Sequence, residues 1–364
     1  MTPVPPFVHM TRPGRVLFGV GKVDRVVGEV AGLGIERVLV IAGGSSKPVG
    51  DRIADQLGDR YGGSFADVRQ HVPEDLVAAA RTAAEATGID GIVAVGGGSA
   101  IGLAKAIAVG DDPDGVDGVP IVAVPTTYAG SEMTSIYGIT GRHKRTGGDL
   151  RALPRSVVYD PALTVGLPPD VTGASGFNAL AHAVESLYAP GTDPLVALYA
   201  EAGIRALVEG LPGAVDDPAD LVARGTTLYG AHLAGRALAG AGTSLHHRLC
   251  HVLGGTFGLD HSRTHAVMLP YVVDLLAPFE PEALARAAVA LGGPAGAGAG
   301  AAAGLLSGLA ERLGTPTDLA VLGMPVDGLD EAAELAPAVY GFDVARLREL
   351  LGAAFEGSRP WRDM

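Results

Sequence analysis

Residues 91–105 read Gly91-Ile-Val-Ala-Val-Gly-Gly-Gly-Ser99-Ala-Ile-Gly-Leu-Ala-Lys105: an apolar β-branched strand, a glycine-rich turn and the start of a helix. Glycines in such a turn let the backbone approach a phosphate, and free N–H groups at the helix start favour an anion. We expect Ser99 to be the N-cap of the helix, with Gly97, Gly98 and Ser99 holding a phosphate. The turn matches neither the GxGxxG nor the Walker pattern, and packing alone also selects such glycines.

Short β-branched runs alternate with amphipathic stretches on both sides of this turn, as far as residue 160. The predicted strands span residues 15–18, 37–41, 63–68, 91–95, 120–124 and 156–159, with helical patterns between them at residues 49–61 and 74–86. Strands that alternate with helices are typical of a mostly parallel sheet covered on both faces. We therefore predict an α/β, Rossmann-like dinucleotide-binding domain over residues 1–165.

The pattern changes after Asp160, where β-branched runs give way to alanine- and leucine-rich helical spacing. The change is marked by Pro161, Pro168 and Pro169, and helical patterns follow at residues 174–188, 194–211, 221–239 and 245–253. Residues 292–304, almost all Gly, Ala and Pro, are expected to form a loop that runs into a helix. We predict an all-helical substrate and catalytic domain over residues 166–364.

Composition and charge exclude several classes of protein. The 364 residues are 48% hydrophobic and 18% charged, which is typical of a compact globular protein. A net charge of −13 without a long basic run disfavours nucleic-acid and membrane partners. The chain has one cysteine, no apolar run of membrane-span length and a proline-rich start unlike a signal peptide, so we expect a cytoplasmic protein.

Two further strand exits carry hydroxyl groups. Thr126, Thr127 and Ser131 follow the strand at residues 120–124, at the edge where ligands bind to parallel sheets. The strand at residues 37–41 ends in Gly43-Gly-Ser45-Ser-Lys, without the carboxylate that commonly holds an adenosine ribose. We expect a nucleotide across this sheet edge, with Gly43 and Ser45 among its contacts and with room for a 2′-phosphate.

Five of the ten histidines lie between residues 246 and 265. Two of them, His247 and His251, are four residues apart and therefore share one face of a helix. His261 follows beyond Gly254-Gly255, where a second turn could aim it at the same point. Imidazoles gathered in this way serve a metal ion, proton transfer or both.

A second polar pair lies upstream. Asn178 and His182 are again four residues apart, in the otherwise apolar stretch at residues 175–182. Two helices that each present such a pair suggest a built site, because isolated capping or surface histidines would not be spaced in this way. We predict that the two pairs come together.

With these motifs in order, the chain resembles the iron-containing alcohol dehydrogenase superfamily, and within it the branch of maleylacetate reductases. The resemblance runs from Phe18 to about Pro270. It is carried by Gly96-Gly-Gly-Ser99, Pro125-Thr-Thr-Tyr-Ala-Gly-Ser-Glu132, the stretch from Lys144 to Pro161, Ser175-Gly-Phe-Asn-Ala-Leu-Ala-His182 and His246-His-Arg-Leu-Cys-His-Val-Leu-Gly-Gly-Thr-Phe257. It implies a Rossmann-like N-terminal domain and a helical C-terminal domain, the dehydroquinate synthase-like fold, with NADH or NADPH and substrate in the cleft between.

Metal-dependent members of this superfamily hold iron or zinc with one aspartate and three histidines. The three histidines match His182, His247 and His261, but Asn178 stands at the aspartate position. A neutral amide is a poor ligand for a divalent ion. The resemblance therefore points to the branch that works without a metal.

The resemblance implies NAD(P)H-dependent reduction of maleylacetate to 3-oxoadipate, in the degradation of aromatic compounds. His247 and His251 would be the main hydrogen-bond donors to the developing oxyanion, with His182, His261 and Asn178 completing the catalytic pocket. Candidate contacts to the two substrate carboxylates are His246, Arg248 and Lys144, with Tyr128 also in the substrate site and Lys144 also a candidate for the cofactor.

Two alternatives stay open from the sequence. One is a metal-dependent alcohol or polyol dehydrogenase of the same superfamily, which Asn178 argues against. The other is a dehydroquinate synthase-like lyase, which would need an intact metal site. The expected partners are a small dicarboxylate substrate and, from the resemblance, a second copy of the chain in a homodimer.

Overall fold

The computed structural model describes residues 7–10, 14–110, 118–141, 144–336 and 340–358. The chain forms two compact units: Thr11–Leu167, and Met1–Met10 together with Pro168–Met364. The proline-rich start, residues 1–6, lies outside the described residues. No helix in these described ranges is both long and apolar enough to cross a bilayer.

A parallel sheet organises the first unit. Its strands are β1 (Arg15–Phe18), β2 (Val38–Ala42), β3 (Tyr61–Phe65), β4 (Gly91–Gly96), β5 (Ile121–Pro125) and, after a separate hairpin of β6 (Ile136–Thr140) and β7 (Lys144–Gly148), β8 (Ser156–Tyr159). The order across the sheet is β1-β8-β5-β4-β2-β3, with every neighbouring pair parallel. The predicted α/β class is confirmed, and each predicted strand is present within three residues at either end.

The central strands β2, β4 and β5 are buried along their whole length. Each is a continuous apolar run, as a parallel strand covered on both faces requires. Helices cover the sheet: α1 (Val26–Gly32) and α2 (Lys47–Leu57) pack on one set of strand side chains, and α3 (Glu74–Thr87) and α4 (Gly98–Val109) follow β3 and β4. This burial aligns the carboxyl ends of β2, β4 and β5 at one edge.

A buried lysine ties the segment after β5 to helix α4. The Lys105 Nζ lies 2.6 Å from the carbonyl oxygen of Ser131 and 2.9 Å from those of Thr134 and Ile136. Its side chain is 1% exposed, so these acceptors replace the water that an ammonium group would otherwise bind. The β6–β7 hairpin that follows was not predicted, and its second strand, Lys144-Arg-Thr-Gly-Gly148, is polar and glycine-rich rather than alternating.

The second unit is helical, as predicted. Its helices among the described residues are α5 (Pro169–Glu185), α6 (Pro194–Asp216), α7 (Leu221–Ala241), α8 (Leu245–Phe257), α9 (His261–Leu276), α10 (Pro281–Ala290), α11 (Ala301–Arg312), α12 (Gly328–Leu335) and α13 (Val344–Glu356). Aspartate side chains accept hydrogen bonds from the first free N–H groups of α6, α7, α9 and α13 and so fix where these helices begin. Residues 292–304 form the expected loop that runs into a helix, since α11 begins at Ala301.

The helix predicted at residues 245–253, ending before Gly254-Gly255, is longer in the structure. Helix α8 continues through both glycines to Phe257, and the chain turns only at Gly258, which has φ +69°. A left-handed glycine directly after the last helical residue is a common way to end a helix, because it costs no Cβ clash. The next helix, α9, therefore starts at His261 itself.

Close packing of α6 on α7 gives a stability prediction. A Cβ on Gly210 would lie 2.6 Å from the backbone nitrogen of Thr227 and 2.9 Å from the carbonyl oxygen of Ala223. We expect Gly210→Ala to lower the free energy of unfolding by about 1–3 kcal/mol, because backbone atoms cannot move aside as a side-chain end can. Urea unfolding followed by circular dichroism measures the change.

The matched control is Gly308→Ala in α11. This glycine is exposed, has no atom within 4 Å of the added carbon, and should gain about 0.4–1 kcal/mol of stability. Equal effects of the two substitutions would contradict the close approach of α6 to α7.

Candidate active site

Six histidines of the second unit pack into one group, called here the histidine cluster: His182, His246, His247, His251, His261 and His265. The rings of His182 and His247 stack with centroids 4.9 Å apart, and the His251 and His261 rings stack at 6.1 Å. The His265 ring joins the two stacks, with its centroid 4.6 Å from His247 and 4.5 Å from His261. The two polar pairs predicted to come together therefore do so.

Three helices position these rings. On α5, Asn178, His182 and Glu185 follow an i, i+4, i+7 spacing and share one face. On α8, His246 and His247 lie in the first turn, and His251 lies one turn after His247. On α9, Asp260 accepts a hydrogen bond from the backbone N–H of Arg263 at 2.9 Å, which begins the helix at His261 and places His265 one turn later. The helix start, rather than a long loop, aims His261.

A buried carboxylate holds His247. Glu185 Oε2 bonds His247 Nδ1, and Glu185 Oε1 accepts from the His247 backbone N–H at 3.2 Å. Both side chains are almost inaccessible, at 0% and 4% exposure. Burial favours the neutral acid, but the charge and hydrogen bonds of His247 outweigh it and hold the pKa of Glu185 below its usual value. Glu185 was not predicted from the sequence.

A second hydrogen bond joins two other rings. His246 Nε2 lies 2.7 Å from His265 Nδ1, and Cys250 Sγ lies 3.8 Å from the same His246 nitrogen. All three side chains are buried. Cys250 packs inside the helical unit, and burial raises the pKa of its thiol well above the usual value, so the thiol stays protonated at neutral pH.

Burial keeps several of the imidazoles neutral. Desolvation lowers the pKa of His246 to about 3. It also lowers the pKa of His182 and of His265 well below the usual value, and neighbouring histidines add to the effect in both cases. At neutral pH these rings can each donate one hydrogen bond and accept one, but they carry no charge.

The cluster holds polar atoms that no described residue satisfies. They are Asn178 Oδ1, His182 Nδ1, His246 Nδ1, His247 Nε2 and His265 Nε2. A buried polar atom left unpaired costs about 1–3 kcal/mol, so such atoms are rare outside functional sites. Several of them on facing helices offer positions for the oxygen atoms of a polar ligand.

The residues do not fit the metal site that the resemblance implies. Asn178, His182, His247 and His261 provide no anionic ligand to offset a divalent charge. Within the described residues, the group of at least three His, Cys, Asp or Glu side chains whose ligand atoms lie within 4.8 Å of one another is His246, Cys250 and His265 instead. There the two nitrogens, 2.7 Å apart, share a hydrogen; on tetrahedral zinc they would be roughly 3.3 Å apart.

The remaining candidate substrate-binding residues lie in different surroundings. Arg248 is exposed, since it follows His247 on α8 and points away from the buried face. Tyr128 is in the first unit, where its buried hydroxyl donates to Thr164 Oγ1 at 3.1 Å. Lys144 begins β7, and its side chain lies outside the described part of the chain.

The glycine-rich turn of the first unit has the predicted strand–turn–helix form, with one correction. Gly97, not Ser99, is the N-cap of α4, so Ser99 lies in the first turn of the helix. A Cβ on Gly97 would lie 2.9 Å from Thr127 Cγ2, and this approach requires glycine. The first N–H groups of α4, including those of Gly98 and Ser99, are available to an anion.

The hydroxyl groups around this turn differ in their bonding. Thr126 Oγ1 lies 3.1 Å from Ser46 Oγ, which joins the ends of β5 and β2. Ser131 Oγ is buried without a partner among the described residues. Gly43 directly follows β2, where a Cβ would lie 2.7 Å from the carbonyl oxygen of Ala66, and Ser45 is exposed.

Two residues of the cluster were missed in the sequence, and both had a spacing signal. Glu185 lies three residues after His182 and His265 lies four after His261, so each shares a helix face with a candidate.

The neutral imidazoles predict a pH dependence of stability. A histidine with a lowered pKa in the folded state binds fewer protons than in the unfolded state, so stability rises with pH between the two pKa values. For His246 this window runs from about 3 to the unperturbed value of 6.5. Below pH 6.5 we expect each such histidine to cost on the order of 1 kcal/mol per pH unit.

Urea midpoints measured from pH 8 to pH 5 test this expectation. They should be nearly constant above pH 7 and fall steeply below pH 6.5. A flat profile down to pH 5 would show that the cluster accepts protons in the folded state.

Comparison with known proteins agrees with this architecture. The iron-containing alcohol dehydrogenase model matches residues 13–161, and the C-terminal model of the Fe-containing alcohol dehydrogenase family matches residues 172–342. A maleylacetate reductase of Burkholderia cepacia is 44% identical over 97% of this chain and 99% of its own. Maleylacetate reductase 2 of Cupriavidus pinatubonensis is 48% identical over 97% of this chain and 98% of its own.

Solved structures give the same result. The crystal structure of maleylacetate reductase from Agrobacterium tumefaciens matches with a TM-score of 0.89 at 41% identity, covering 98% of this chain and 100% of that chain. The two family models, the near full-length relatives and the shared fold thus indicate the same family. The chain belongs to the iron-containing alcohol dehydrogenase family, alongside relatives named maleylacetate reductase.

Proposed function

We propose that this protein reduces maleylacetate to 3-oxoadipate with hydride from NADH or NADPH. The observation that carries the proposal is the buried histidine cluster with its unpaired polar atoms, in a chain 40–48% identical to several maleylacetate reductases. The family consists of oxidoreductases, which supports a reductase rather than a lyase.

The chemistry needs one hydride and one proton. Maleylacetate has a carbon–carbon double bond conjugated with a ketone, and a carboxylate at each end. Hydride adds to the alkene carbon β to the ketone, and the π electrons move onto the ketone oxygen to form an enolate. A proton then adds to the carbon that lies between the ketone and the carbon that received the hydride. The products are 3-oxoadipate and the oxidised nicotinamide. The protein must stabilise the enolate oxygen and supply the proton.

The cluster provides donors for this oxyanion. Neutral His182 and His265 each have one N–H, and hydrogen bonds aimed at developing charge in a buried site stabilise it more than water does. Because His247 Nδ1 bonds to Glu185, its Nε2 is the atom that faces away from the carboxylate. We place His247 and His251 nearest the reacting atoms, with Asn178 and His261 beside them.

The cofactor would be held by the first unit. The start of α4 at Gly98, with Thr127 and Ser131 on the next strand exit, offers N–H and hydroxyl donors to a pyrophosphate. Gly43 and Ser45, after β2, would lie near the adenosine ribose, where the absence of a carboxylate leaves both NADH and NADPH acceptable.

The proposed reduction needs no metal ion. Two observations support this proposal. Asn178, which is neutral, stands at the aspartate position, and His246 and His265 are hydrogen-bonded to each other. In place of a Lewis acid, imidazole donors would polarise the ketone.

We also propose a cytoplasmic homodimer that takes a small dicarboxylate. The first unit offers β1 at the edge of its sheet, with Val16 and Phe18 partly exposed, as a strand that a second copy could pair with. The sole cysteine is buried and reduced, which suits a reducing compartment.

The first test is oxidation of NADH or NADPH by chelator-treated protein on addition of maleylacetate, followed at the nicotinamide absorbance. We expect turnover that added zinc or iron does not increase. Turnover only after adding metal would keep the reductase and disprove the metal-free reaction, and it would favour the metal-dependent branch of the family. No turnover with either cofactor would reject the substrate.

The second test removes a donor from the cluster. We expect His247→Asn to lower kcat by about 10²–10³-fold, since this is the usual loss on removing one oxyanion donor. The control is His232→Gln on α7, a partly buried histidine outside the cluster, which should leave kcat within a factor of two or so. Equal losses of kcat in the two variants would contradict a special role of the cluster.

A further inference from the structure

Glu185 on α5 is a carboxylate that bonds the histidine cluster, and it was not predicted from the sequence. It makes two bonds to one residue: Oε2 to the His247 ring at Nδ1, and Oε1 to the His247 backbone N–H at 3.2 Å. The two contacts fix both the backbone and the ring of His247 relative to α5. A single ring contact would leave the ring free to rotate about its side-chain torsions.

The backbone contact also stabilises the start of α8. His247 is the third residue of that helix, so its N–H has no partner within the helix, and the side chain of Ser244 at the N-cap makes no capping hydrogen bond. Glu185 supplies the missing acceptor, and its negative charge lies at the positive end of the helix dipole. The glutamate therefore caps α8 from a different helix.

The ring contact determines which nitrogen carries hydrogen. An ionised carboxylate can only accept, so Nδ1 of His247 must be the donor and Nε2 is left for another partner. No described residue bonds Nε2. His246 and His265 differ, because each can be donor or acceptor in their shared bond and neither tautomer is imposed.

We propose that Glu185 is a positioning residue for the reaction, and that it holds His247 in the Nδ1–H tautomer with Nε2 directed at the substrate. The inference rests on the proposed function for its kinetic part only. Nε2 can give a proton to the enolate only from the imidazolium, which is left as the neutral Nδ1–H tautomer and takes its next proton at Nε2. The Nδ1 hydrogen stays on the Glu185 side throughout, so no ring flip is needed between turnovers.

The ionised state of Glu185 agrees with this role. Oε1 accepts from the His247 backbone N–H while Oε2 faces the ring Nδ1, two contacts that a carboxylate accepts together. The nearest alternative, a neutral acid that donates to His247, would leave the backbone N–H of His247 with a weaker acceptor.

The test uses Glu185→Gln and Glu185→Asp, with Glu29→Gln as the matched control. Gln keeps the size but replaces one of the two accepting oxygens with an NH2 donor, which would face either the ring N–H or the backbone N–H of His247. Asp keeps the charge but is one methylene shorter. Glu29 is a glutamate of the other unit, 11% exposed and bonded to Ser156 and Arg15, so its removal costs comparable contacts outside the cluster.

For Glu185→Gln we expect kcat to fall about 10–100-fold with KM changed less than about threefold, the usual size of effect for a group that orients a functional histidine. Glu185→Asp should recover part of the loss, and Glu29→Gln should match the wild type. An unchanged kcat in folded Glu185→Gln, or an equal loss in Glu29→Gln, would overturn the proposal.

A second readout needs neither substrate nor activity. In protein labelled with ¹⁵N-histidine, the wild type should show His247 with a protonated Nδ1 and a hydrogen shifted strongly downfield, assigned by its loss in His247→Asn. A wild-type His247 with hydrogen on Nε2 alone would overturn the proposal, even if Glu185→Gln does not fold. If the wild type fails to reduce maleylacetate, the proposed function falls while this tautomer measurement still decides the role of Glu185.

Discussion

The arrangement of buried polar side chains in the helical unit depends on the contact between Glu185 and His247. Imidazole rings buried between α5, α8 and α9 lose their water, and each needs a partner inside the protein. Glu185 provides the anion for one ring and the missing cap for α8 in the same carboxylate. The stack of His182 on His247 and the contact of His265 with His247 then follow from where this one ring is fixed.

The fold could be predicted from the sequence where a strand is an uninterrupted run of apolar residues. The apolar runs of β2, β4 and β5 could be recognised because strands covered on both faces need no polar residues. The β6–β7 hairpin could not, since Lys-Arg-Thr-Gly-Gly has no period of two. The end of α8 was misplaced because Gly254-Gly255 reads as a breaker, although a helix tolerates glycine when neighbouring helices hold it.

In the candidate site, pairs of residues at helical spacing could be predicted from the sequence. Adjacency in sequence to a site residue was not a reliable guide. His247 with His251 and Asn178 with His182 were found from their spacing, and the structure brings both pairs into one cluster. Arg248 was considered because it adjoins His247, but neighbours in a helix point about 100° apart and its side chain is exposed. Glu185 shares a helix face with His182, but spacing alone does not reveal its bond to His247, 62 positions away.

Lys105 has a mechanical consequence in the first unit. Its ammonium group joins α4, the helix that begins at the glycine-rich turn, to the carbonyls of Ser131, Thr134 and Ile136. Gly97 meets Thr127 at the same turn, so helix and strand exit touch at two separated points. The loop that carries Ser131 therefore cannot shift independently of α4. A substitution that moves either one displaces the other, whereas Ser45, after β2, is exposed and lies outside these contacts.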